Sequence, residues 1–460
     1  MNYKTRRDFL RIGIKTLTAA SAVGAIGKFG AINAWAAPGP YQALVCVYLA
    51  GGNDAHNMVI PLATAQQNYA TYAASRQGLA LAQGSLLPIT AKSGGTYGLN
   101  PMMPELQALF TAGHAAILAN VGMLVIPLAD KNAYNQIPAG SPSLPVNLFS
   151  HSDQTSQWQT AQPNGVSSTG WGGRLADFVQ NSYNSAGQFP PVVNDGGCGQ
   201  FCTGAQTLPG VVPSQGPAGL TGVGNDIARQ QGMQQLLSFD NGLQLVQAAN
   251  SIASRGIAQS ALLNNLLASA PALQTVFPSG NPLADQMKMA ARIIGVHAQL
   301  GLGRQLFFCN LGGFDTHSAQ LNAYEGQTPL LQQLSQALSA FYSATVELGV
   351  AQNVTAFTAS EFGRTVMPNG NVGTDHAWGS HHVIVGGGVV GGDIYGSYPL
   401  LTLGAANPLD VTGRGSLIPT TAVDQYAATL AQWFGVSQGN LQSVLPNVNN
   451  FALQNLGFLG

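Results

Sequence analysis

Five short runs of apolar and β-branched residues, at 44–49, 116–121, 305–311, 354–358 and 383–385, constrain this chain more than any other feature. Each is too short for a helix and is bounded by glycine or polar residues, as buried strands are. Helical patterns separate the later runs. Leu331, Leu334, Leu338, Phe341, Thr345 and Leu348 share one helical face, and Gly349 follows where a left-handed cap residue belongs. A second helical pattern over 283–300 feeds the run at 305 through Gly301-Leu302-Gly303. This alternation predicts an α/β fold with a doubly wound, mainly parallel sheet and helices on both faces.

The middle of the chain is different. Residues 130–220 are rich in Gly, Pro, Ser and Asn, and 225–275 are rich in Ala, Leu and Gln with helical character. The stretch 130–275 therefore reads as an insertion or cap within one domain of residues 37–460. Gly386-Gly387-Gly388-Val389-Val390-Gly391 matches a dinucleotide fingerprint, but Gly392 to Pro399 does not read as a helix that would receive a pyrophosphate. A tight turn is expected there.

The first 36 residues read as a twin-arginine signal peptide. Arg6 and Arg7 precede Phe9-Leu10, a weakly apolar stretch interrupted by Lys15 and Lys28 follows, and Ala34-Trp35-Ala36 offers a small-x-small cleavage site. Charges at those places argue against a permanent span, since each costs about 2.5–3.5 kcal/mol at a helix centre. The expected location is the periplasm, or export more generally, with the twin-arginine machinery as a partner. Without the signal, 11 Lys and Arg remain against 17 Asp and Glu, so no basic stripe for nucleic acid is present. Cys46 and Cys309 lie in strand-like runs and read as core thiols. Cys198 and Cys202 share a glycine-rich loop that an oxidising compartment allows to close as a disulfide, although so short a loop is geometrically demanding.

Charged residues are only 8% of the chain, against about a quarter in an average domain, so the acids that occur are worth tracing one by one. Several follow predicted strands, where open parallel sheets bind their ligands. Asp54 stands in Gly51-Gly52-Asn53-Asp54, Asp315 and His317 in Gly313-Phe314-Asp315-Thr316-His317, Glu361 and Arg364 in Ser360-Glu361-Phe362-Gly363-Arg364, and Asp375 and His376 in a loop before the last strand. Carboxylates and imidazoles gathered at one end of a sheet suit Zn, Mn or Mg. Asp54, Asp315, His317, Glu361, Asp375 and His376 are thus the expected ligands of one or two divalent ions. His151, in Phe149-Ser150-His151-Ser152-Asp153, reads either as a support to that site or as an aid to a nucleophile.

Taken together, the twin-arginine start, Gly51-Gly52-x-Asp54, Ser150-His151, Gly170-Trp171-x-x-Arg174 and the four segments above resemble the domain-of-unknown-function 1501 family (DUF1501), from about Tyr41 to the C-terminus. That family resembles a branch of the alkaline phosphatase and sulfatase superfamily. The resemblance implies an exported metal-dependent hydrolase of phosphate or related esters on an alkaline-phosphatase-like fold. It implies Asp54, Asp315, His317 and His376 as ligands. Glu361 and Phe362 replace the aspartate and histidine usual at their positions, so Asp375 or His376 would compensate. Ser150 is the best match to the nucleophile, with Thr155 behind it, and Arg364 or Arg174 would hold the substrate anion. Two other functions fit the same residues: a non-catalytic exported protein that binds a small molecule or polymer, and a metal-dependent transferase or mutase.

Overall fold

The structure is a computed structural model that describes residues 39–195, 197–220, 222, 226–240 and 242–460. The signal expected over 1–36 lies outside the described residues. From the first strand onward the chain builds one compact unit, Tyr41–Gly460.

The opening strand β1 (Gln42–Leu49) is buried along almost its whole length, as its unbroken apolar run requires. A small antiparallel sheet follows, formed by β2 (Val59–Ala63), β3 (Leu87–Thr90) and β4 (Thr96–Leu99), with helix α1 (Tyr69–Arg76) packed beside it. Helix α2 (Pro104–Thr111) leads into β5 (Ala115–Gly122), and α3 (Lys131–Gln136), α4 (His151–Thr160) and α5 (Trp171–Tyr183) come next. Short strands β6 (Val192–Asn194) and β7 (Gly210–Val211) precede a helical pair, α6 (Ile227–Ser238) and α7 (Gln244–Ser269). Then α8 (Pro282–Gly295), β8 (Arg304–Leu311), α9 (Gln327–Glu347), β9 (Val354–Ala359), β10 (Ser380–Gly386), β11 (Ile394–Gly396), β12 (Thr421–Ala422), α10 (Val423–Phe434) and α11 (Leu441–Val444) complete the order.

All five strand-like runs are strands of one sheet, in the order β11-β5-β10-β9-β1-β8-β6-β7, with β12 also paired to β5. β1 runs parallel to β8 and to β9, and β10 is antiparallel to both of its neighbours. Alternate residues of β1 serve opposite faces, as the two-residue period of a strand demands. Val45 and Val47 pack with Leu283 of α8 and Leu331 of α9, while Cys46 and Tyr48 pack with Trp158, Trp171 and Tyr426 from α4, α5 and α10. Helices therefore cover both faces, and the fold is the mainly parallel α/β sheet that the strand and helix pattern predicts.

The helices start where their caps stand. Asn281 caps α8 by accepting from Ala284 N, Pro282 occupies the first turn, and Arg292 sits in the last. Gly349 has φ +72° after α9, the left-handed conformation anticipated for it. The stretch 130–275 is more than a cover. It supplies β6 and β7 to the sheet and α4 and α5 to one face of it, and only α6 with the first part of α7 stands clear of the core. Cys198 and Cys202 form a disulfide, while Cys46 and Cys309 are buried free thiols. No helix among the described residues is long and apolar enough to cross a membrane.

Candidate metal centre

The register fixes which loops meet. Leu49 pairs with Leu311 and Tyr48 with Ala359, so the loops that follow β1, β8 and β9 leave the sheet side by side. β10 is reversed, so the loop before it returns to the same end and brings His376 there. The loops approach at backbone distance: Gly51 has φ +116°, and a Cβ on it would overlap the backbone of Phe314 and Asp315. A Cβ on Gly373 would likewise overlap the backbone of His317 and Ser318.

Three imidazoles surround one carboxylate oxygen. Asp315 Oδ1 lies 3.1 Å from His317 Nε2, 3.3 Å from His376 Nε2 and 3.4 Å from His151 Nε2, and it also pairs with Arg364. The Nε2 atoms of His317 and His376 are 2.9 Å apart. A cation about 2.1 Å from tetrahedral donors holds them about 3.4 Å from one another, and the contacts of His151 and His376 with Asp315 Oδ1 are near that separation.

The outward nitrogens of the rings are each held. His376 Nδ1 is 2.8 Å from Phe149 O, His151 Nδ1 is 2.9 Å from Glu361 Oε1, and His317 Nδ1 is 3.5 Å from Asp375 Oδ1. A carbonyl or carboxylate oxygen accepts, so Nδ1 of His376 and of His151 carries the hydrogen. The Nε2 atoms of His151 and His376 face the Asp315 oxygen, and that of His151 is buried without a hydrogen-bond partner among the described residues. Imidazole nitrogen and carboxylate oxygen are the donors Zn and Mn take, and the outward ring nitrogens are held by acceptors outside the cluster, so this donor set fits a metal ion. Phe149 has φ +71°, an uncommon conformation for a bulky residue, and its carbonyl is the one that holds His376.

Burial alone would raise the Asp315 carboxyl, but the hydrogen bond and charge of Arg364, with His317 and His151, outweigh it and hold the group at about 2. Burial is also the largest influence on His376 and lowers it, assisted by the charges of Arg364 and His151. Asp375 is held low because its bonds to Asn369 and Arg414 overcome the opposing effect of burial.

The expected site residues divide into those in the cluster, those one contact away and those elsewhere. Asp315, His317 and His376 converge. Glu361 and Asp375 touch the cluster only through His151 and His317. Asp54 is not brought in: its carboxylate is fully buried against Arg76, Gln320 and His56 N, and its own amide donates to Gln327. An aspartate one turn beyond β1 reads as a ligand in sequence, but α1 delivers Arg76 to it, and nothing in the local motif announces that partner.

The two arginines expected to hold an anion are both spent. Arg364 is fully buried and donates to Gly51 O, Gly52 O, Thr374 O and Asp315. Arg174 donates to Val444 O, Thr169 O and Thr160 O. Thr155 Oγ1 accepts from the buried Tyr48 hydroxyl. Ser150 caps α4, accepting from Asp153 N and donating to Asp153 Oδ2 at 2.5 Å.

His151 belongs to the cluster itself: His151, Asp315 and His376 each place a ligand atom within 4.8 Å of the others. Its sequence signal is the Ser150-x-x-Asp153 cap, which fixes the start of α4 and puts His151 in the first turn. Arg414, which binds Asp375 Oδ2 at 2.7 Å and keeps a side-chain exposure of 42%, stands in no motif.

Residues 41–414 match the family described as "Protein of unknown function (DUF1501)". No curated protein matches the sequence. Similar solved structures include the lipoteichoic acid synthase LtaP from Listeria monocytogenes, at 8% identity over 89% of this chain and 76% of that one, with a TM-score of 0.33. The C-terminal periplasmic domain of EcEptC from Escherichia coli is similar at 10% identity over 89% and 87%, with a TM-score of 0.34. A protein in the alkaline phosphatase superfamily from Vibrio parahaemolyticus is similar at 10% identity over 87% and 68%, with a TM-score of 0.33. At these similarities no residue role is carried across.

Proposed function

The chain belongs to the DUF1501 family, and we propose that this member is an exported metal-dependent hydrolase of phosphate or related esters. The observation that carries the proposal is the meeting of His151, Asp315 and His376, whose ligand atoms all lie within 4.8 Å of one another, with His317 Nε2 3.1 Å from Asp315 Oδ1 beside them. His151, Asp315 and His376 would hold one ion, with His317 beside them against Asp315, and a set rich in imidazole suits Zn or Mn better than Mg. A divalent ion bound there supplies Lewis acidity toward an ester oxygen.

The chain's own residues supply the rest. Glu361 and Phe149 O orient His151 and His376 through their Nδ1 hydrogens. Ser150 lies between Phe149 and His151, which both touch the cluster, and its hydroxyl proton already points at Asp153 Oδ2. Ser150 Oγ is therefore assigned as nucleophile and Asp153 as acceptor of its proton. Arg414, half-exposed and joined to His317 through Asp375, takes the anion-holding role that buried Arg364 is unable to fill. Export rests on the paired Arg6 and Arg7, and the Cys198–Cys202 disulfide fits an oxidising compartment.

The test uses protein purified from the exported fraction, assayed for metal by elemental analysis and for turnover of aryl phosphate and aryl sulfate. The expected content is about one ion per chain. His376→Ala should lose both metal and turnover, and Ser150→Ala should lose turnover alone. Absence of metal from folded wild type removes the hydrolase reading and leaves a binding role. Transfer of the ester group to an added alcohol, without hydrolysis, makes it a transferase.

A further inference from the structure

Two buried amides, Gln320 and Gln327, both bond to Thr316, the residue between Asp315 and His317. Gln320 is fully enclosed. Its Oε1 accepts the Thr374 hydroxyl at 2.6 Å and the Thr316 hydroxyl at 3.2 Å, and its Nε2 donates to Asp54 Oδ2. An ionised carboxylate only accepts, so the amide nitrogen must face Asp54 and the oxygen must face the threonines. Gln327 Nε2 donates to Thr316 Oγ1 at 2.9 Å, which leaves that hydroxyl as the donor to Gln320. Gln327 Oε1 accepts the Asp54 amide at 3.1 Å. Asp54 is in turn held by Arg76, the last residue of α1.

On the reading that His151, Asp315 and His376 hold an ion, we propose that Gln320 is a positioning residue of the metal centre: through Thr316 and Thr374 it sets the loop after β8 against the loop before β10. Thr316 adjoins Asp315 and His317, and Thr374 stands two residues before His376. The same threonines join the loops through the backbone, since Thr374 N donates to Thr316 O at 3.1 Å. Thr374 O also accepts from Arg364, which pairs with Asp315. Ligands must be held to within about 0.5 Å of the working geometry, and neighbours locked by packing and hydrogen bonds do this. Gln320 is such a neighbour, with both acceptor positions of its oxygen filled and its nitrogen pinned to a buried ion pair. The Gly51-Gly52-x-Asp54 segment thereby gains a role: Asp54 acts on the centre through Gln320 and not as a ligand.

Calorimetric titration of Zn²⁺ into metal-free exported protein, with the visible spectrum of the Co²⁺-loaded form as a reading of coordination geometry, tests this. Gln320→Met keeps the length of the side chain and removes all three of its bonds. It should take up metal to the wild-type stoichiometry with an affinity about 10- to 100-fold lower and an altered Co²⁺ spectrum. Thr374→Val removes one of those bonds and should move both readings in the same direction, which keeps the test open if Gln320→Met does not fold. Gln320→Glu sets a second anion against Asp54 and should weaken binding; adding Asp54→Asn, whose amide can donate to the new carboxylate, should restore most of it. Gln305, equally buried but at the far end of β8, is the control: Gln305→Met should cost stability and leave affinity and spectrum unchanged. Wild type that binds Zn²⁺ beside a folded Gln320→Met or Thr374→Val of the same affinity and Co²⁺ spectrum overturns the positioning role alone. Wild type that binds neither ion removes the metal centre and the positioning role with it.

Discussion

His151 Nδ1 lies 2.9 Å from Glu361 Oε1, and the same carboxylate oxygen accepts the amide of Gly51 at 2.8 Å. The glutamate that follows β9 thus ties the first turn of α4 to the loop that follows β1. It acts on the cluster through an imidazole and not as a donor of its own.

Glu361→Gln keeps an oxygen for Gly51 N but loses the anionic acceptor that fixes the His151 tautomer. Metal affinity should fall by about 10- to 100-fold, as is typical when the partner of a ligating histidine is changed. Calorimetric titration of Zn²⁺ into metal-free protein measures it. An unchanged affinity would mean that His151 is not a ligand.

Chelation should lower the melting temperature of wild type, because an ion bound only to the folded state stabilises it by about 2.7 kcal/mol when free metal is 100 times Kd. Asp315→Asn removes the central anionic donor and should shrink the chelator effect. Its metal-free form should be less stable than metal-free wild type, since buried Arg364 loses the charge it is paired with. Melting curves of both proteins with Zn²⁺, Mn²⁺, Mg²⁺ or chelator decide the matter. Identical curves for wild type in all four would remove the metal site.

Asp54 and Arg76 are a fully buried ion pair. Removing either partner strands the other, at a cost of about 3–5 kcal/mol. Asp54→Ala and Arg76→Ala should therefore both unfold at lower denaturant while keeping the metal stoichiometry of wild type. Loss of metal from a still-folded Asp54→Ala would return that residue to the ligand set.

Asp424, fully buried in the first turn of α10, has its carboxyl pushed up to about 7 by burial, against smaller opposing effects of its own backbone amide, Arg174 and the Asn447 backbone. Below about pH 4 the group is protonated both folded and unfolded and contributes no slope. Between about 4 and 7 the unfolded chain releases this proton while the folded chain keeps it, so stability falls as pH rises, by on the order of 3–4 kcal/mol in all. Above about 7 the contribution is level again. Asp424→Asn should flatten this part of the profile and raise the melting temperature at neutral pH. A wild-type profile that rises steadily from pH 4 to 7 and matches that of Asp424→Asn would contradict the assignment.

The sequence by itself determined the sheet and its covering. Unbroken β-branched runs bury on both faces, and a period of 3.6 with a glycine stop makes the helices that cover them; both signals are local. It also placed Asp315, His317 and Glu361 near one another, because loops that follow parallel strands emerge at one end, whereas Asp375 and His376 reach that end because β10 runs antiparallel. What it left open is which atoms meet. Asp54 and Asp315 stand in similar loops after neighbouring strands, yet Arg76, 22 residues from Asp54, takes the first, and the second faces three imidazoles. His151 joins them from a stretch with little periodicity, because Ser150 caps α4 and Phe149 adopts a positive φ. A local pattern records the geometry of its own segment. The role of a carboxylate or an imidazole is set by the charges that face it, and those come from residues far along the chain, so only the tertiary structure decided them.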